Sequence, residues 1–142
     1  MQTKKCQVAL FEGKLNKISQ KEVDIPELKE GEILVKITCA SICGSDLHTL
    51  QGKRSEPLPL ILGHEMVARV EVINSQVPIK DYWGNIVKKG DRITWSVVWS
   101  CHKCSRCLAG VPQKCLHLFK YGHERFQDDG CLYGAFADYC VI

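Results

Sequence analysis

The apolar segments of this chain are short, and polar residues and turn signals interrupt each of them, a pattern that predicts strands with little helix. Segments 6–11, 33–38, 66–73, 91–98 and 135–142 are rich in β-branched and aromatic residues and are bounded by turn signals. Glu12-Gly13-Lys14 reads as a short hairpin, residues 26–31 as a loop, and Lys89-Gly90-Asp91 as a turn entering a strand. The lysines of 14–21, interleaved with Leu15 and Ile18 and followed by Val23, read as the solvated face of an edge strand, where Lys guards against aggregation. Short strands at this spacing favour a barrel or a sandwich. Helix content is small: Ser45 or Asp46 would cap one turn running through Leu47, His48 and Leu50 until Gly52 stops it. Residues 74–90, punctuated by Pro78 and Gly84, form a surface connection.

Size and charge narrow the class. At 142 residues and 45% hydrophobic the chain suits one domain with a core of its own, spanning 1–142. Its net charge of +3 comes from 19 basic and 16 acidic residues without a long run of either sign, so no nucleic-acid footprint is expected. Charges interrupt every apolar segment well short of the roughly 18 residues needed to cross a bilayer, and no membrane partner is expected. The first residues, Met1 to Leu10, lack the apolar stretch of a secretory signal, so the expected location is the cytoplasm.

That compartment changes how the nine cysteines are read. Four of them fall as Cys101-x2-Cys104-x2-Cys107-x7-Cys115, a spacing that lets one segment wrap a tetrahedral zinc ion with soft anionic ligands. A disulfide knot is disfavoured by the odd count and the reducing surroundings. The lobe, 99–117, should order when metal binds. His102 is left as a surface residue of that lobe, since four thiolates already satisfy the ion. Cys6, Cys39, Cys131 and Cys140 sit in or beside apolar stretches and are expected to behave as small hydrophobes. His117 and the His123-Glu124 pair follow the lobe without a matching cysteine, and surface pairing is expected for them. Trp95 is expected to pack in the barrel and Trp99 to line a cleft.

A second constellation lies upstream, in Cys43-Gly44-Ser45-Asp46-Leu47-His48 and Gly63-His64-Glu65. Either phrase alone reads as a core cysteine or a surface ion pair. Together they supply a thiolate, an imidazole and an adjacent carboxylate, which leave a fourth position for water or substrate as catalytic zinc requires. With Pro59-Leu-Ile-Leu-Gly-His-Glu65, Lys89-Gly-Asp-Arg-Ile93, the four lobe cysteines and Gly134-Ala-Phe-Ala-Asp-Tyr139, the sequence resembles the amino-terminal catalytic domain of zinc-dependent medium-chain alcohol dehydrogenases over nearly its whole length. The resemblance implies a mainly β fold, a GroES-like β-barrel with short helices and a four-cysteine zinc lobe. It implies that Cys43 and His64 bind catalytic zinc, while Cys101, Cys104, Cys107 and Cys115 hold a structural zinc. Glu65 is a ligand in some members and a nearby carboxylate that tunes the ion's charge in others. Ser45 and His48, two and five residues after Cys43, fit the family's proton relay: zinc acidifies a bound alcohol, Ser45 accepts the proton, and His48 passes it to solvent near neutral pH.

The resemblance further implies a small-molecule alcohol substrate, hydride transfer to NAD(P) in the full-length enzyme, and an oligomer there. The Gly-x-Gly-x-x-Gly phrase of a nucleotide-binding domain is absent among the eleven glycines of these 142 residues. The expectation is therefore a piece of a longer enzyme, inactive by itself because no nicotinamide faces the zinc-bound carbon, and with partial catalytic-zinc occupancy. Pro112-Gln-Lys-Cys115 with Leu118-Phe-Lys-Tyr-Gly-His-Glu124 is similar to a subgroup associated with phosphonate catabolism, which implies a phosphonate-bearing alcohol. The competing class is a zinc-stabilised binding module without catalysis, disfavoured because zinc ribbons space two Cys-x-x-Cys knuckles across a longer loop. A chaperonin-10-like protein would share the barrel and explain no zinc ligand.

Overall fold

Alternation sends neighbouring side chains of one strand into different layers, and the ten-residue strand Glu32–Ser41 shows the result. In a computed structural model that describes residues 4–15, 17–127 and 132–142, Leu34 points into one apolar cluster while Ile33 and Val35 point into another. In chain order the strands are β1 (Lys5–Phe11), β2 (Ser19–Asp24), β3 (Glu32–Ser41), β4 (Leu60–Ile61), β5 (Glu65–Asn74), β6 (Arg92–Ile93), β7 (Val98–Trp99), β8 (Phe119–Lys120) and β9 (Tyr139–Val141). Helix α1 (Gly44–Leu50) follows β3, and helix α2 (Ser105–Leu108) with a 3-10 turn at Pro112–Lys114 follows β7.

Three antiparallel sheets result, ordered β2-β1-β4, β6-β5-β3-β9 and β7-β8. The segment leading into β9 joins the first two. Ala9 N–H donates to the Phe136 carbonyl at 2.8 Å, and β9 then pairs with β3. Between the sheets lie Cys6, Val8, Leu10, Ile61, Leu132 and Val141 on one side and Val35, Met66, Ala68, Val70 and Cys140 on the other. Leu10, Leu60 and Leu62 are fully buried, and each contributes about 1.5–3 kcal/mol of transfer free energy. The chain is thus mainly β with short helices, and β2 is the edge strand that the lysine pattern marks, with Lys21 paired to Glu12 at 3.0 Å.

Three expectations are corrected. The stretch 91–98 is not one strand: β6 ends at Ile93, and Thr94 gives its hydroxyl proton to the Met66 carbonyl at 2.8 Å as the chain leaves for the lobe, where β7 pairs with β8. In 135–142 the regular ladder is confined to β9. Cys39 is exposed, because the register of β3 against β5 shifts between Ile37 and Cys39 and turns the side chain outward. Cys6 and Cys140 are buried as small hydrophobes, while Cys131 lies outside the described residues. The connection 74–90 carries a small hairpin of its own, with Asp81 accepting from the backbone N–H of Trp83 and Asn85. Among the described residues no helix is long and apolar enough to cross a membrane.

Two loops meet at glycines in a way that matters for the site. Gly122 has φ +75, and a Cβ there would lie 2.6 Å from the Gly63 carbonyl oxygen. Gly84 has φ +88 with open space around it. Gly84→Ala should therefore cost about 1 kcal/mol of backbone strain, and Gly122→Ala a further 1–3 kcal/mol or so from the clash, measured by urea unfolding. Equal losses in the two variants would show that the loops are not in close contact.

Candidate metal centre

Cys43 is presented by the first turn of α1. It takes the capping position with extended φ −85 and ψ 156, and its N–H donates to Asp46 Oδ2 at 2.8 Å. The cap is therefore Cys43, not Ser45 or Asp46 as the sequence reading expects. Asp46 instead reaches back from the third helical position in the manner of a capping box. This carboxylate is fully buried, and its Oδ1 faces the Gly63 N–H at 3.4 Å and His64 Nδ1 at 3.5 Å. One side chain so fixes the helix start that carries Cys43 and the loop that carries His64. In the sequence this role of Asp46 is marked only by its place three residues after Cys43.

Glu65 opens β5 beside Ser41 at the end of β3, and Ser41 Oγ donates to Glu65 Oε2 at 2.5 Å. Ligand atoms of Cys43, His64 and Glu65 all lie within 4.8 Å of one another. Ser45 Oγ stands 3.4 Å from His64 Nε2. His48 is exposed on α1, three positions after Ser45 and therefore on the same side of the helix. His64 Nδ1 is buried and lacks a hydrogen bond of good geometry, with Asp46 Oδ1 at ion-pair distance.

His123 corrects the expectation of surface pairing. It is only 6% exposed, its Nδ1 is 3.0 Å from Glu56 Oε1, and its ring centroid is 5.0 Å from that of His64 with 33° between the planes. Glu124, its sequence neighbour, accepts from the Lys120 N–H instead. The Gly122–Gly63 contact is the cause, since it sets the loop carrying His123 directly against the loop carrying His64. Burial pushes the His123 imidazole below its ordinary pKa, and Glu56 opposes that shift. Glu56 is held in turn by Arg54 Nε at 2.5 Å.

The lobe cysteines also come together. Their sulfurs lie within 4.8 Å of one another, with Cys104 to Cys107 at 3.5 Å and Cys115 to Cys101 at 3.5 Å. Helix α2 starts from Cys104 and contains Cys107, while the 3-10 turn delivers Cys115. Backbone N–H groups of Leu116 and Cys107 bring the Cys104 thiol down to about 6, and burial foremost pushes Cys107 up to about 12. Backbone donors thus favour anionic sulfur at one vertex of the cluster while neighbouring sulfurs resist further charge, the situation a divalent cation relieves. His102 is exposed and its ring lies 3.3 Å from Ser100 Oγ, outside the quartet, and His117 is exposed. Trp95 packs edge-on against Tyr121. Trp99 lines a cleft of about 620 Å³ with His117, Phe119 and Tyr133, a cleft whose walls include none of Cys43, His64 or Glu65.

Residues 29–142 match the family model described as the alcohol dehydrogenase GroES-like domain. The chain is 33% identical over 131 residues to 5-exo-hydroxycamphor dehydrogenase of Pseudomonas putida, covering 87% of this chain and 36% of that protein. It is 34% identical over 132 residues to D-arabinitol dehydrogenase 1 of Uromyces fabae, covering 92% of this chain and 34% of that protein. It superposes on the crystal structure of an alcohol dehydrogenase from Thermotoga maritima with a TM-score of 0.83 at 34% identity, over 97% of this chain and 38% of that one.

Removing the Asp46 carboxylate would strip the Cys43 and Gly63 N–H groups of their acceptor. Asp46→Ala is expected to lower the unfolding free energy by about 2–3 kcal/mol, with Asp46→Asn milder, in denaturant titrations. A loss below about 0.5 kcal/mol for Asp46→Ala would show that these bonds do not fix the site.

Proposed function

The chain belongs to the alcohol dehydrogenase GroES-like domain family, and from that premise we propose that it is the metal-bearing part of a zinc-dependent, NAD(P)-linked alcohol or polyol dehydrogenase. The observation that carries this reading is the convergence of Cys43 with His64 and Glu65, from two segments about twenty residues apart in the chain, to within 4.8 Å. Donors bound to one tetrahedral zinc stand about 3.3–3.8 Å apart, so a small closure of the trio would enclose an ion. The donor set is right for a catalytic site, with one thiolate, one imidazole and one carboxylate, and room for a further ligand. His64 Nδ1 fits the same picture. A cation on the opposite ring nitrogen leaves the proton on Nδ1, aimed at buried Asp46, the carboxylate–histidine arrangement that orients metal ligands.

Zinc bound there would supply Lewis acidity that lowers the pKa of an alcohol hydroxyl. The chain's own residues manage the rest. Ser45 Oγ stands beside His64 Nε2 and is placed to take the hydroxyl proton. His48, exposed on the same side of α1, delivers it to water. Ser41 restrains Glu65, either as a ligand or as a carboxylate beside the ion. The cysteine quartet holds a second zinc that stabilises the lobe. The chain covers 36% and 34% of the two dehydrogenases it resembles. We assign nicotinamide binding, and with it turnover, to a nucleotide-binding domain beyond these 142 residues.

At saturating zinc, atomic absorption should count two ions per chain. Cys43→Ser should remove one and Cys104→Ser the other. Two ions retained after Cys43→Ser would overturn the reading. Zinc uptake by the metal-free lobe should also weaken as pH falls through about 6, where Cys104 becomes protonated, and a flat profile between pH 7.5 and roughly 5 would contradict a thiolate site.

A further inference from the structure

We infer that His123 is a positioning residue for the Cys43–His64–Glu65 centre, its ring clamped on the His64 ring by a strut that runs through Glu56 to Arg54. This rests on the reading of that centre as a cation site. Four observations converge on it. The His123 imidazole is 6% exposed and lies 5.0 Å from the His64 ring, centroid to centroid. Its Nδ1 is 3.0 Å from Glu56 Oε1, and a carboxylate only accepts, so the proton sits on Nδ1. Glu56, itself 10% exposed at its side chain, is also held by Arg54, whose Nε meets the same Oε1 oxygen. Gly122, one residue before, is pressed on the Gly63 backbone, one residue before His64, so the two loops cannot part without loss of that packing.

Core packing alone does not account for this arrangement. An apolar side chain would fill the same space without burying a carboxylate and its partner imidazole, which is costly unless the geometry is put to use. The consequence for His64 is definite: Asp46 meets the Nδ1 edge and the His123 ring lies tilted against the His64 ring, which leaves the Nε2 edge for an ion shared with Cys43 and Glu65. A ligand ring restrained at an edge and on a face loses less freedom when an ion binds, so metal affinity and coordination geometry should both depend on the strut.

The test loads the lobe of the full chain with zinc and titrates cobalt(II) into the second centre, reading affinity by chelator competition and coordination by the visible d–d band. Outer partners of metal ligands are worth about 10–100-fold in affinity. His123→Ala should weaken cobalt binding within that range and shift the band. His123→Phe keeps a flat ring against His64 but cannot donate to Glu56, and should fall about tenfold with a smaller shift. Lobe zinc content and circular dichroism verify folding, and if His123→Ala does not fold, the His123→Phe result decides. Parent-like affinity with an unshifted band in the folded variants would overturn the inference and leave the metal centre standing. A parent protein that takes up no cobalt beyond the lobe would overturn the metal reading and this inference together.

Discussion

A fully buried carboxylate is the constraint on which the site depends. Asp46 has no exposed surface, and a buried carboxyl group is costly unless its oxygens find hydrogen-bond partners. The offsets are the N–H of Cys43, the N–H of Gly63 and the Nδ1 edge of His64. Each belongs to a residue that is itself a proposed ligand or the immediate neighbour of one. Satisfying this one side chain therefore draws the segments of Cys43 and His64 together, and the proposed cation on His64 would fix the tautomer that completes the last contact.

The barrel provides the frame for that arrangement. Residues that precede β9 hydrogen-bond to β1, and β9 itself pairs with β3, so the end of the described chain stitches the two main sheets around the apolar clusters. The same segment supplies Phe136, whose ring a Cβ on Gly63 would approach to 2.6 Å, leaving the His64 loop little room to shift. The cysteine lobe is a separate excursion between β7 and β8, built from a four-residue helix and a single 3-10 turn. With so little apolar burial of its own, it would rely on the proposed ion among its four sulfurs, whereas Cys43, His64 and Glu65 are held in place by the barrel.

Much of this was legible in the sequence, and the exceptions share a cause. Strands β1 and β5 follow from alternation because each has one face against the core and a more open one, whereas β3, buried on both faces at Ile33, Leu34 and Val35, follows from its apolar run. The quartet follows from spacing because its ligands are local. Cys43, His64 and Glu65 come together as their order in the chain and their chemistry suggest. Broken pairing in 91–98 was not legible, since apolar composition does not show where a strand leaves one sheet for another. Neither was His123, whose partners Glu56 and His64 are remote in sequence and reach it only through the close contact of two glycines. The exposure of Cys39 is hidden too, because a register shift changes which face a residue joins and no local pattern marks it.

Anomalous diffraction at the zinc absorption edge, from crystals of the metal-loaded protein, tests the central claim most directly. The account predicts two peaks, one inside the sulfurs of Cys101, Cys104, Cys107 and Cys115 and one shared by Cys43 Sγ and the His64 ring, with Asp46 against the far nitrogen of that ring. A single peak at the lobe, with Cys43 and His64 left apart at full zinc loading, would contradict it.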